Sequence, residues 1–261
     1  MNRILASVAL AATLATPATA HFQLIYAPDP NMAAPVDQPL KLIFWHPMEN
    51  GHAMDMGAPT EFFYVFKGDK VDLSPSLTPI TFKGTDNEAA AYEGVLPVKR
   101  NGDYIVGLVP APYYEGSEDI YIQQITKAFF NKGGLPTGWN EPLGLPTEIV
   151  PLNKPTNVIA GSTFSGQLLS DGQPVAGAEI EIEYIAAEPD METNAVGEAT
   201  VKPMPAGAIV AITDANGIFT FGIPRAGHWG FAALGSGPVK EHEGKELSQD
   251  AVIWIKAYDL K

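Results

Sequence analysis

Hydrophobic positions fall in short runs rich in Val, Ile, Phe and Tyr, separated by clusters of Pro, Gly, Asn and Asp. No stretch of ten or more residues carries the i, i+3, i+4, i+7 spacing of an amphipathic helix, so the chain reads as all-β. Strands are predicted over residues 22–26, 40–45, 61–67, 91–97, 102–109 and 119–130, a set that makes one antiparallel β-sandwich. Between residues 131 and 155 the prolines at 136, 142, 146, 151 and 155 and the Gly133-Gly134 pair leave no room for regular structure, which places a domain boundary near Asn153. Beyond it, residues 162–169 and 178–185 flank the turn 170–175 as a hairpin whose inward set is Ile180, Ile182 and Tyr184. Residues 209–213 and 218–223 flank a second turn signal, Asp214-Ala215-Asn216-Gly217, and 230–234 and 251–258 complete a second, smaller sandwich.

The start of the chain follows another rule. Met1-Asn2-Arg3 is a short positive start, residues 4–15 are apolar, and Ala18-Thr19-Ala20 is a small-x-small cleavage site, the pattern of a secretory signal peptide over 1–20. The apolar run is shorter than the roughly 20 residues a bilayer span needs. The expected divisions are therefore 1–20 signal peptide, 21–153 first sandwich, immunoglobulin-like, and 154–261 second sandwich. The second, through residues 166–185 and 213–219, resembles prealbumin-like and carboxypeptidase-regulatory-like modules. Cleavage after Ala20 makes His21 the first residue of a soluble periplasmic protein.

Charge and cysteine usage narrow the chemistry. Sixteen Lys and Arg stand against thirty Asp and Glu, a formal net charge of −14, which leaves no positive field for a phosphate backbone and argues against nucleic-acid binding. Cysteine is absent, so disulfides, thiolate nucleophiles, zinc ribbons and Fe–S clusters are excluded. A metal would be held by His, Met, carboxylate or backbone.

An N-terminal histidine offers its α-amine and its imidazole to one ion, and with ordinary pKa values of about 7.7–8.0 and 6.5 both lose their protons near neutrality at small cost. The segment Trp45-His46-Pro47-Met48-Glu49-Asn50-Gly51-His52-Ala53-Met54-Asp55-Met56 holds two of the five histidines and three of the seven methionines. Positions 46, 48, 52, 54 and 56 share parity, so extended pieces either side of a turn would aim them at one face. The candidate ligands are His21, His46, His52, Met54 and Met56, with Asp55 and Glu49 as supporting carboxylates or solvated loop groups. Imidazole and amine nitrogens suit Ni(II), Co(II), Cu(II) and Zn(II), whereas thioethers favour Cu(I). His228 reads as structural, at a strand start, and His242 as solvated in a charged run. No Gly-x-Ser-x-Gly elbow, Gly-rich phosphate loop or His-Glu-x-x-His pair occurs, and the acids Glu115, Glu118 and Asp119 read as solvated or supporting groups, so no enzyme is indicated.

Several phrases together resemble a bacterial family of periplasmic proteins that accompany nickel and cobalt transporters of the energy-coupling-factor type. They are His46-Pro47 followed by Met54-Asp55-Met56, Pro112-Tyr113-Tyr114-Glu115 with Glu118-Asp119, Thr126-Lys127, Gly138-Trp139-Asn140-Glu141-Pro142-Leu143-Gly144, Thr147-Glu148-Ile149-Val150-Pro151-Leu152 and Trp229-Gly230-Phe231-Ala232-Ala233-Leu234. The resemblance implies that His21, His46 and the Met54-Asp55-Met56 motif mark the binding end, with His52 a less constant position and His228 standing where the family has tryptophan. The resulting expectation is a protein that captures Ni(II) or Co(II) and presents it to a membrane transporter component. The competing expectations are a periplasmic copper carrier and, from a different class, a copper-dependent oxidative enzyme using an N-terminal histidine brace.

Overall fold

The computed structural model describes residues 21–202 and 209–260, and the signal peptide expected over residues 1–20 lies outside them. The chain is all-β among these residues, with one short 3-10 turn at Ser74–Ser76 and three sheets. The first sheet runs Phe22–Tyr26, Val36–Trp45, Glu88–Val98, Thr78–Lys83, all antiparallel, and the short strand Ala53–Met54 adds to the end of Val36–Trp45. A third sheet of four strands is centred on Thr163–Ser170, which pairs with Thr147–Pro151 and Ile218–Gly222.

The second sheet has twelve strands and passes through both halves of the chain. Its central junction is parallel: Ile120–Lys132 lies beside Lys245–Tyr258, with Tyr121 opposite Leu247 and Ala128 opposite Trp254. A strand from before residue 153 and one from after it are therefore ladder neighbours, so the boundary expected near Asn153 divides the sequence across a continuous sheet.

This arrangement explains a feature of the sequence. All five residues of Phe22–Tyr26 are buried, as are the last six of Val36–Trp45, and neither run alternates. A strand alternates only when one face meets water, and these two buried runs are covered on both faces, whereas Glu88–Val98 in the same sheet alternates. On one side Ile25, Leu40, Leu42 and Phe44 pack with Phe62, Val106 and Leu108 of the second sheet. On the other, Phe22, Leu24, Ile43 and Trp45 pack with Val252 and Trp254, again of the second sheet. A third core joins the remaining sheet to the C-terminal strands, and the expected inward set Ile180, Ile182 and Tyr184 lies in it.

The proline-rich stretch is held by a buried ion pair. Lys127 Nζ lies 2.6 Å from Glu148 Oε2, both side chains are almost fully enclosed, and the same carboxylate accepts the backbone N–H groups of Leu143 and Gly144 at 2.9 Å each. Thr147–Pro151, in the stretch expected to be irregular, is a strand because it closes the edge of the third sheet. Among the described residues no helix is long and apolar enough to cross a membrane.

Candidate metal centre

Strand register assembles the site. Phe22 opposes Trp45, and Trp45 opposes Ala53, both in antiparallel ladders. One residue further along each ladder, His21 comes opposite His46 and His46 opposite His52. Directly opposed residues share a face at Cβ separations of about 4.5–5.5 Å, so the three histidines form a row across the end of the first sheet. Gln23, Phe44 and Met54 make the row behind it. The turn that returns the chain from His46 to His52 is closed by Gly51 N–H donating to His46 C=O at 3.1 Å and by Trp45 Nε1 donating to Gly51 C=O at 2.9 Å.

The His21 and His46 rings are 4.5 Å apart, edge to face. Phe44 and Tyr113 form the apolar wall beside His21, at 5.6 and 6.5 Å. From the opposing sheet, the strand Tyr113–Glu115 delivers Glu115, whose Oε2 lies 3.2 Å from His21 Nε2. Its other oxygen is occupied by Ser117, which donates through N–H at 2.9 Å and through its hydroxyl at 2.6 Å. Two nitrogen-bearing rings at the end of the first sheet thus face a carboxylate from the second.

The protonation states follow from burial. His46 is 8% exposed, and desolvation, reinforced by the positive charge its neighbours His21 and His52 would carry, pushes its pKa down to about 4. Burial also lowers His21, against the opposing pull of Glu115 and Glu118. Both imidazoles are held ready as neutral bases. His46 Nε2 is buried without a hydrogen-bond partner. An orphaned polar atom of this kind costs about 1–3 kcal/mol, and a site that receives a ligand is one reason such a cost persists. Among the described residues no three His, Asp or Glu side chains converge on one point.

The even-numbered positions expected to share one face part company. His46, His52 and Met54 stand on it through their ladders, but Met48 sits in the turn and packs into the C-terminal core instead, its N–H donating to Glu183 Oε2 at 3.1 Å. His52 is exposed, with Nε2 3.5 Å from the Asn87 amide. Met54 and Met56, at 2% and 4% exposure, lie within the N-terminal core, where the Met56 sulfur accepts the Gln23 side-chain amide at 3.4 Å. His228 is buried against Glu188, Nδ1 to Oε1 3.0 Å, and the His242 ring meets Tyr121 edge to face, 4.7 Å between rings. Glu115, read from the sequence as a solvated or supporting acid, meets His21 across the two sheets, a contact that its local sequence does not mark.

Residues 18–237 match the model of a family described as a domain of unknown function, DUF4198. No curated protein matches the chain. Among solved structures, the D0–D1 domain of intimin is similar at 11% identity, covering 91% of this chain and 97% of that one, with a TM-score of 0.21. Domains A168–A170 of titin match at 10% identity, 93% and 66% coverage and a TM-score of 0.22. The fibronectin(III)-like modules of CbhA from Clostridium thermocellum match at 7% identity, 91% and 95% coverage and a TM-score of 0.20.

Proposed function

We propose a metal-carrying function for this chain, which belongs to the DUF4198 family. After removal of residues 1–20 the periplasmic protein captures Ni(II) or Co(II) as cargo at the His21–His46 mouth and presents it to a membrane uptake component of the energy-coupling-factor type. The observation that carries this reading is the unpartnered, buried Nε2 of His46 beside the His21 ring. Neutral imidazoles bind a cation without first losing a proton, and the α-amine of a chain that starts at His21 supplies a further nitrogen from the same residue. The Glu115 carboxylate, 3.2 Å from His21, offsets the charge of a divalent ion in an otherwise apolar mouth.

The donor chemistry favours nitrogen-seeking late divalent ions over Cu(I), because both motif thioethers are enclosed in the core and one already accepts a hydrogen bond. His52, exposed at the outer end of the row, is placed to meet an arriving ion. Copper(II) suits the same nitrogens, so metal choice is the decisive test. Native mass spectrometry of the chain beginning at His21, offered equal Ni, Co, Cu and Zn, should retain Ni or Co at one ion per chain and lose it in His46→Ala. Retention of copper alone would move the reading to a copper carrier or a brace enzyme, and retention of no ion would end it.

A further inference from the structure

His21 is held by its backbone as well as its ring. The strand Phe22–Tyr26 is an edge of the first sheet, with Val36–Trp45 as its ladder partner, so the peptide groups on its other side need partners from outside that sheet. At the end that bears His21, those partners come from one side chain. Gln124, on Ile120–Lys132 of the second sheet, accepts Gln23 N–H through Oε1 at 2.7 Å and donates Nε2 to the His21 carbonyl at 2.7 Å. A single amide thereby makes the donor–acceptor pair that a neighbouring strand would make. Gln23 C=O is held from the same sheet by Trp254 Nε1 at 2.9 Å.

The amide is itself oriented. Gln124 is 2% exposed, and its Nε2 also donates to Asp250 Oδ2 at 3.2 Å. Asp250 is 1% exposed, and its Oδ1 accepts Gly235 N–H at 2.7 Å and the Ser248 hydroxyl at 2.6 Å. A carboxylate accepts but does not donate, so Asp250 draws the NH2 end of Gln124 toward itself and leaves Oε1 for Gln23. The flipped amide would put two donors against Gln23 N–H. We infer that Gln124, oriented by Asp250, is the positioning residue of the metal mouth, fixing the peptide that carries His21 so that the N-terminus of the processed chain stays beside His46. The inference rests on the metal-carrying reading, and it gives the C-terminal half a part in the site, since Asp250 and Gly235 belong to it.

The test uses the whole chain beginning at His21, with Ni(II) as probe. Supporting groups of this kind act at the level of about 10–100-fold in metal affinity. Gln124→Ala should weaken Ni(II) binding by at least about 10-fold and speed hydrogen exchange at the Gln23 amide, while a core control with a matched fall in thermal midpoint, Ile182→Val or Ile182→Ala, should leave affinity within about twofold. Gln124→Glu keeps the acceptor for Gln23 but loses the donor to His21 and faces Asp250 with a second carboxylate, so it should also weaken binding. It serves if the alanine variant fails to fold. Asp250→Asn, which removes the preference between the two amide orientations, should fall between wild type and Gln124→Ala. Wild-type affinity in both Gln124 variants, with the Gln23 amide deprotected, would overturn the positioning role while leaving the metal site standing. A wild-type chain that binds no Ni(II) would instead bring down the metal-carrying reading and this inference with it.

Discussion

Counting the protons released when Ni(II) binds separates the amine from the imidazoles. At pH 7 a terminal amine with a pKa of about 7.7–8.0 is about 0.8–0.9 protonated, and that proton must leave before the nitrogen can bind. His46, with its pKa pushed to about 4 by burial, carries about one proton in a thousand molecules at that pH. His21 is held below its ordinary 6.5, so it contributes less than about a quarter of a proton. Binding to the chain that begins at His21 should therefore release about 0.8–1.2 protons, most of them from the amine. Adding a methionine ahead of His21 should drop the release below about 0.3 and weaken affinity, because the chelating amine becomes a peptide nitrogen. Calorimetric titrations at pH 7 in buffers of different ionisation enthalpy measure the number directly. The logarithm of affinity should rise with pH at a slope near one below pH 7.5 and flatten above pH 8. A release below about 0.3 from the chain starting at His21 would remove the amine from the site, and a release of about 1.5 or more would show that the imidazoles are not held neutral by burial.

Alanine substitutions should rank His46 above His52 and both above His242 in lost Ni(II) affinity. Intact binding in His46→Ala with loss in His242→Ala would misplace the site. Replacing Met54 and Met56 by Leu keeps volume and apolarity, so chemical denaturation should show a change of less than about 1.5 kcal/mol per site and Ni(II) affinity should hold, whereas Ala at either position should cost about 2–5 kcal/mol. A large Ni(II) loss in the Leu variants would bring the thioethers back as ligands. Burial of Glu183, aided by the charges of Glu49 and Glu181, raises its pKa well above the ordinary 4.5. A raised acid stabilises the fold below its unfolded pKa, and that contribution is lost as pH climbs above it. Metal-free wild type should accordingly lose thermal stability from about pH 4.5 upward relative to Glu183→Gln, which keeps an acceptor for Met48 N–H. Parallel pH profiles for the two proteins would contradict this.

What could be read from the sequence depended on the range over which each signal acts. The strand Phe22–Tyr26 and the turn after Ser170 were legible because apolar runs and turn residues are local. The hairpin expected between residues 162–169 and 178–185 does not form: Thr163–Ser170 pairs with Thr147–Pro151 and Ile218–Gly222 in the third sheet, while Glu179–Tyr184 crosses to the second sheet beside Ile209–Ile212 and Gly227–Ala233, because a turn signal fixes a reversal of the chain and not the ladder partner. The twelve-stranded sheet was not: the parallel pairing of Ile120–Lys132 with Lys245–Tyr258 joins residues more than a hundred positions apart, and neither strand marks its partner in its own pattern. Shared parity correctly put His46, His52 and Met54 on one side, since period-2 alternation holds within each strand. It failed at Met48, where the turn breaks the alternation and Glu183 draws the Met48 peptide toward the C-terminal half.

The same division of range runs through the metal mouth. His21 and His46 were nominated separately, one by its place after a cleavage pattern and the other by its motif, and only the register of Phe22 against Trp45 makes them neighbours. Glu115 could be read only as one of several solvated or supporting acids and Gln124 not at all, because a loop acid and a strand glutamine are ordinary until a fold brings one beside an imidazole and the other against a strand edge. Both come from the second sheet, whereas the histidines stand on the first. The spacing of the mouth is therefore set by how the two sheets pack, through Phe44, Phe62 and Val106, as much as by the ligands themselves. A cavity made in that core, for instance by Phe62→Ala at an expected cost of about 3–5 kcal/mol, would loosen Glu115 and Gln124 relative to His21 without touching any of the three.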